Sequence, residues 1–204
     1  MKLIEWKVVT GCERLTPGCD NCPTYWEYEK NGWDYTPAIQ PVHMNEPLDN
    51  QEPSTYLVAS GSDLFHESVP VEFIQAVFTR MRQANWHDFE VLTKRAERLE
   101  RLSDAKLLWP NNVRAVVAVE EAKYKWRIDC LRTVKAHRFV SFGPMTGRIG
   151  KVDLTGIEGA GVVVEDWGPD PRPIKPEWIE EINMQCEEQG VLLATNKWVV
   201  GEEV

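Results

Sequence analysis

Cys12, Cys19 and Cys22 crowd the stretch Gly11–Cys22 (GCERLTPGCDNC) of a chain that holds five cysteines. The spacing is C-x6-C-x2-C, and the bend at Pro17-Gly18 lets the loop curl between the first two thiols. Thiolates are soft ligands that select zinc or an iron–sulfur cluster. Free cysteines seldom gather on a polar loop without a ligand. Two metal chemistries stay open. Structural zinc needs a fourth donor to close its tetrahedron, and His43 and His66 are available. A [4Fe–4S] cluster on three cysteines leaves one iron open for a substrate or cofactor. Cys130 and Cys186 fall on apolar helical stripes and read as buried core thiols.

Further chemistry sits where short apolar runs end. Ser60, Gly61, Ser62 and Asp63 follow TYLVAS, where a carboxylate can meet an ammonium and a glycine permits close approach. A turn with a helix cap explains the same four residues. His66 follows as a candidate site-lining ring. Lys94 and Arg95 end the next run and suit a carboxylate or phosphate. Glu120 and Glu121, then Ser141, then Glu165 and Asp166 end the later ones. Paired carboxylates hold an amino group or move a proton, or are solvated loop acids.

The elements that must position these residues alternate in type. Apolar, β-branched runs at Thr55–Ser60, Phe89–Thr93, Arg114–Val119, Arg138–Phe142, Gly161–Glu165 and Val191–Ala194 read as buried strands, with another near Val8–Thr10. Helical patterns lie between several of them. One opens at Pro70, with Phe73, Ile74, Val77, Phe78 and Met81 on one face. A second carries Tyr124, Ile128, Leu131 and Val134, and a third runs from Pro176 to a stop at Gly190. Pro23 can open a helix behind the cysteines. The alternation predicts an α/β fold of about six to seven mostly parallel strands with outer helices. A partial (βα) barrel and a doubly wound sheet both fit, and both collect chemistry at the C-terminal strand ends. Residues 31–54 have no period and read as a long irregular connection inside a single domain, 1–204.

With 43% hydrophobic residues and nine tryptophans the chain can build a sizeable core. Its net charge of −9 argues against a protein that coats nucleic acid by charge alone. A local basic rim is still expected if it meets DNA, and Lys94, Arg95, Arg98 and Lys125 are its candidates. Otherwise Lys94–Arg101 and Lys123–Arg127 are solvated helix faces. No apolar run is long enough to span a membrane, and the start lacks the pattern of a signal peptide. The expectation is a cytoplasmic protein with reduced thiols.

The loop VTGCERLTPGCDNC, then SDLFHESVP, EVLTKRAERL, RFVSFGPMTG and RPIKPEWIEEINMQCEEQGV, in that order, resemble the phage-associated three-Cys-motif proteins. That family looks like a compact branch of the radical S-adenosylmethionine (SAM) enzymes. The resemblance covers nearly the whole chain except 31–54. It implies a partial barrel with a [4Fe–4S] cluster on Cys12, Cys19 and Cys22. Its open iron would chelate SAM, whose reductive cleavage yields a hydrogen-abstracting radical. Ser60, Gly61, Ser62, Asp63 and Ser141 are then expected to hold SAM, with Lys94, Glu120 and Glu165 at the reacting substrate. The implied substrate is a modified thymine in phage DNA, rearranged by an isomerase that turns an N-linked amino-acid substituent into a C-linked one. An external electron donor is implied as partner. Three departures stand out: six residues separate the first two cysteines rather than three, Asn21 replaces an aromatic, and Gly143 replaces an acid. A zinc-stabilised binding protein without catalysis is the alternative from another class. A radical SAM enzyme acting on a small molecule, peptide or RNA is a third.

Overall fold

The computed structural model describes residues 1–105, 107–167 and 170–194. The single-domain reading of 1–204 therefore extends past the described residues at its C-terminal end.

Seven strands form one sheet. They are β1 (Lys2–Trp6), β4 (Ser54–Val58), β5 (Asp88–Thr93), β6 (Val113–Ala118), β7 (His137–Phe142), β8 (Gly159–Val162) and β9 (Leu192–Ala194), lying side by side in chain order. Every neighbouring pair is parallel. The sheet curls into a half-barrel flanked by helices. β2 (Val9–Thr10) and β3 (Ala38–Ile39) pair antiparallel in a separate small ribbon. The helices are α1 (Pro23–Asn31), α2 (Glu46–Asp49), α3 (Val71–Gln83), α4 (Ala96–Ala105), α5 (Trp126–Thr133) and α6 (Pro176–Gln189).

Local sequence explains most of these elements. β6 (VRAVVA) is buried at every position but one, as a central parallel strand covered on both faces must be. α3 buries Ile74, Val77, Phe78 and Met81, the i, i+3, i+4, i+7 stripe of a helix packed on a sheet. Full burial of Phe78 alone is worth roughly 1.5–3 kcal/mol. α6 starts on Pro176 and stops where Gly190 adopts a φ of 67°, and the N–H of Val191 closes the end on Cys186 O at 2.8 Å. Inside the curl Trp6, Tyr56 and Phe89 pack together, with Tyr56 stacked on Phe89 at 5.5 Å. This joins β1, β4 and β5 into one core.

Three expectations need correction. The first sheet strand is Lys2–Trp6, not the run near Val8–Thr10. KLIEW is an edge strand with polar positions, so it lacks the apolar run that marks its neighbours. The strand expected at Gly161–Glu165 lies earlier, at Gly159–Val162: Gly159 is in register with Phe139, whose ring leaves no room for a Cβ there. The connection 31–54 is not wholly irregular: it contributes β3, a 3-10 turn at Pro41–His43 and α2.

Candidate active site

All the chemistry-bearing strand ends open on one mouth. β1 runs through β2 into the cysteine loop. Gly11 there has a φ of 69°, and a Cβ at this position would collide with the carbonyls of Tyr35 and Thr36. The close approach lets Cys12 N donate to Tyr35 O at 3.1 Å. Pro17–Cys19 then forms a 3-10 turn, and Pro23 starts α1 directly behind Cys22.

The loop after β4 folds back sharply, with Ala59 at a φ of 56° and Gly61 at 72°. Ser60 Oγ donates to Glu5 Oε1 at 2.9 Å, and the Ser62 hydroxyl donates to Gly11 O in the cysteine loop. Asp63 is buried. It accepts from Thr93 Oγ1 (2.8 and 2.9 Å), Phe65 N (2.9 Å) and Arg95 Nη1 (3.0 Å). Its carboxylate is therefore engaged within the protein, and an incoming ammonium must compete with Arg95 for it.

Lys94 reaches the other way. Its Nζ lies 2.5 Å from Glu120 Oε1 and 3.3 Å from Cys19 Sγ. Glu120 is 0% exposed, and it also accepts from Thr16 Oγ1 (2.6 Å) and Arg127 Nη1 (2.8 Å). Burial pushes its carboxyl upward, but Lys94, Thr16 and Arg127 outweigh this and hold it below the usual range. Glu165 is likewise buried, accepting from Asn21 Nδ2 (2.6 Å) and Arg172 Nε (2.9 Å). Arg172 Nη1 continues to Pro17 O at 2.7 Å, and Trp167 Nε1 donates to Asn21 O at 2.7 Å. The cysteine loop is thus gripped by the ends of β4, β5, β6 and β8. Ser141 lies within β7, where its carbonyl accepts from Val119 N.

These contacts overturn the solvated reading for Lys94, Arg95, Arg98, Arg127, Glu120 and Glu165, whereas Arg101, Lys123 and Asp166 are exposed as that reading has them. Arg98 and Arg127 are buried. Arg98 donates to the carbonyls of His66 and Val69, which fixes the chain after Asp63 and removes Arg98 from any basic rim. Lys94 and Arg95 are committed to Glu120 and Asp63. Glu121 and Asp166 do not join their neighbours in carboxylate pairs: Glu121 pairs with Lys123, and Asp166 is exposed.

The thiols gather around Tyr35, a residue from the aperiodic connection. Tyr35 Oη donates to Gly61 O at 3.2 Å and sits 3.8 Å from Cys22 Sγ. Burial first, then the neighbouring thiols of Cys22, Cys12 and Cys19, push its hydroxyl far up. Arg95 Nη1 lies 3.9 Å from Cys12 Sγ. Burial, then Asp63, pushes the Cys12 thiol up to about 11. Burial raises Cys19 too, but Lys94 and nearby hydrogen bonds outweigh it and hold that thiol below its ordinary value. Among the described residues no three His, Cys, Asp or Glu side chains stand at the mutual spacing that grips one ion. The donor set, three soft thiols flanked by two cations, fits a thiolate-held, electron-rich centre rather than a hard cation. Cys130 and Cys186 lie in the core, as their helical stripes predict.

Sequence reasoning missed Thr16, Asn21, Tyr35, Arg127 and Arg172. The proximity of Asn21 to the cysteines was a usable signal. Nothing in the pattern ties Arg127 or Arg172 to this loop.

The molecule is thus an α/β half-barrel with a thiol-bearing site at the C-terminal mouth of its parallel strands. Residues 4–202 match the family described as Protein of unknown function (DUF5131), and the chain belongs to that family. No curated protein matches it. No solved structure matches it. Among the described residues no helix is long and apolar enough to cross a membrane.

Proposed function

We propose that this chain is a radical SAM enzyme, an isomerase acting on a modified thymine of phage DNA in the host cytoplasm. The observation that carries the reading is the placement of Cys12, Cys19 and Cys22 at the half-barrel mouth, with Lys94 and Arg95 beside two of them. Cys12, Cys19 and Cys22 would hold a [4Fe–4S] cluster. When bound, the cluster supplies the electron that cleaves SAM, and an external donor supplies that electron in turn. Moving an amino-acid substituent from an N-link to a C-link requires that an unactivated hydrogen be abstracted and then returned after the rearrangement, which acid–base groups alone do not do.

The chain's own residues do the remaining work. Lys94 and Arg95 balance the negative charge of thiolate ligands at a half-buried site. Glu120 and Glu165 fix the loop from the far ends of β6 and β8. Ser60, Gly61 and Ser62 form the tight turn that brings backbone close to the mouth. A base in duplex DNA has to be extruded to reach this depth. With Lys94, Arg95 and Arg98 committed internally, phosphate contact falls to Arg14, stacked 3.8 Å over Tyr25, and to Lys125.

Anaerobic purification followed by metal analysis and electron paramagnetic resonance tests the proposal. Iron and labile sulfide in equal amounts, with a reduced-state signal that SAM alters, is the expected result. Stoichiometric zinc without sulfide overturns it and leaves the non-catalytic zinc reading.

A further inference from the structure

His66 is buried, and its two ring nitrogens have different surroundings. Nδ1 receives the backbone N–H of Ser68 at 3.2 Å, with the Ser68 hydroxyl at 2.8 Å from the same nitrogen. A nitrogen that accepts a backbone N–H carries no proton of its own, so the neutral ring keeps its proton on Nε2. That Nε2–H is buried and has no hydrogen-bond partner. An unmade buried hydrogen bond is costly, and such an orphan needs a reason.

What faces it is informative. Glu13 Oε2 lies 3.7 Å away, beyond hydrogen-bond range but too close to admit a water between. Glu13 follows Cys12, and its side chain is 74% exposed. It is a solvent-exposed carboxylate resting against a buried donor. The ring is anchored at Nδ1 by Ser68, and the backbone that carries it is held by Arg98 at its carbonyl and by Asp63 O, 3.0 Å from its amide nitrogen. Arg95, whose charge acts on His66, binds Asp63 and Cys12 through Nη1 alone. Its other guanidinium nitrogens make no hydrogen bond among the described residues.

We infer that His66 Nε2–H and the unused edge of Arg95 form a carboxylate-binding subsite beside Cys12, capped by Glu13 until a ligand carboxylate displaces it. Two donors from different strand ends, one neutral and one cationic, match the two oxygens of a carboxylate. In this tautomer Nε2 offers a donor and no lone pair, so His66 would ligate a metal only after its proton moved to Nδ1. On the radical SAM reading, two ligands carry a carboxylate: SAM itself, and the amino-acid substituent of the modified thymine.

The test has two arms. Long-range proton–nitrogen spectra of the histidine-labelled, cluster-free chain read the tautomer directly and need no ligand. A proton on Nε2 of His66 is expected, and one on Nδ1 overturns the inference. In the second arm the anaerobic, cluster-loaded protein is titrated with SAM and with decarboxylated SAM. It is also titrated with the glycine-bearing thymidine and its amide. Wild type should prefer one carboxylate form over its counterpart by roughly tenfold or more, the effect of a hydrogen bond to a charged group. The pair that shows the preference identifies the source. His66→Phe should reduce it several-fold, because Arg95 and, for SAM, the open iron still hold the carboxylate, and His66→Gln, which keeps a donor near the Nε2 position, should restore part of it. No preference in wild type, or an equal preference in His66→Phe, overturns the subsite. SAM bound without discrimination sinks only this inference, whereas a chain that binds neither cluster nor SAM sinks the proposed function as well.

Discussion

The hydroxyl of Thr16 donates to Glu120 Oε1 at 2.6 Å across 104 residues of chain. Through that bond the cysteine loop is tied to the end of β6, where Lys94 and Arg127 complete a buried charge cluster. Breaking one partner of such a cluster strands the others without counter-charge, typically costing about 3–5 kcal/mol. Glu120→Gln keeps the shape and an acceptor for Thr16 but leaves two cations uncompensated. Urea unfolding should show a loss of about 3 kcal/mol. A loss below about 1 kcal/mol would mean that water screens the cluster, contrary to the full burial of Glu120.

Two glycines separate packing from backbone strain. A Cβ on Gly18 would lie 2.7 Å from Glu120 Oε1 and 2.9 Å from its Cγ. Glu120 is held by three partners and cannot step aside. Gly18→Ala should cost about 1–3 kcal/mol and lower the iron content, because the whole turn bearing Cys19 must shift. Gly190 has a φ of 67°, and a Cβ there would meet no atom within 4 Å. Gly190→Ala should cost about 1 kcal/mol through backbone strain and leave iron content unchanged. Equal iron loss in both variants would show that loading follows global stability, not the seating of the loop.

Replacing Cys12, Cys19 or Cys22 by Ala should each bleach the anaerobic protein. Cys130→Ala should not, since that thiol lies 8% exposed in the core, where burial, with Glu100 beside it, pushes it up to about 12. Visible absorbance and iron content per chain read the outcome. Bleaching by Cys130→Ala at unchanged stability would break the ligand assignment.

Which parts of this were legible in sequence follows from range. The apolar β-branched runs of β4 to β7 and the proline- and glycine-bracketed α6 carry their own signals, because burial on both faces or along one stripe dictates residue type locally. β1 is less legible, since an edge strand tolerates Lys2 and Glu5. The three cysteines stand out by spacing alone. The pairings of the charges do not. Lys94, Arg98 and Arg127 read as solvated because a charge in sequence does not reveal a partner distant along the chain, as for Lys94 and Glu120, or a carbonyl brought close by folding. Tyr35 was hidden in a segment without a period, where its backbone contact to Cys12 is the informative feature.

Glu90 and Arg114 are register partners on β5 and β6, with Oε1 and Nη1 3.1 Å apart. Burial pushes the Glu90 carboxyl above its usual range, and Arg114 only partly offsets this. A carboxyl raised in the folded state costs stability once it must ionise. The cost begins as pH climbs through the ordinary carboxylate range and is complete above the raised folded value. Glu90→Gln removes it. The variant should be more stable than wild type near neutral pH. The gain should vanish at about pH 3, where this carboxyl is protonated in the folded and the unfolded chain alike. Unfolding curves at the two pH values decide it, and a variant less stable at neutral pH would mean that the ion pair outweighs desolvation.

The last prediction concerns DNA. If phosphate contacts rest on Arg14 and Lys125, two contacts give a salt slope of roughly −1.8 on duplex, shallow for a DNA-binding protein. Arg14→Ala should reduce that slope by about one unit while cluster content stays the same, because phosphate contacts position the nucleic acid and do not perform the chemistry. Arg98→Ala should behave differently. It leaves the carbonyls of His66 and Val69 without their donor in a buried place, costing about 2 kcal/mol or more of stability. The slope should not change, since this guanidinium never reaches solvent phosphate. Binding measured by fluorescence anisotropy over a range of salt concentrations, on protein checked to be folded, separates the two. A slope that falls in Arg98→Ala and holds in Arg14→Ala would place the DNA on the α4 side of the mouth and exchange the roles assigned to these two arginines.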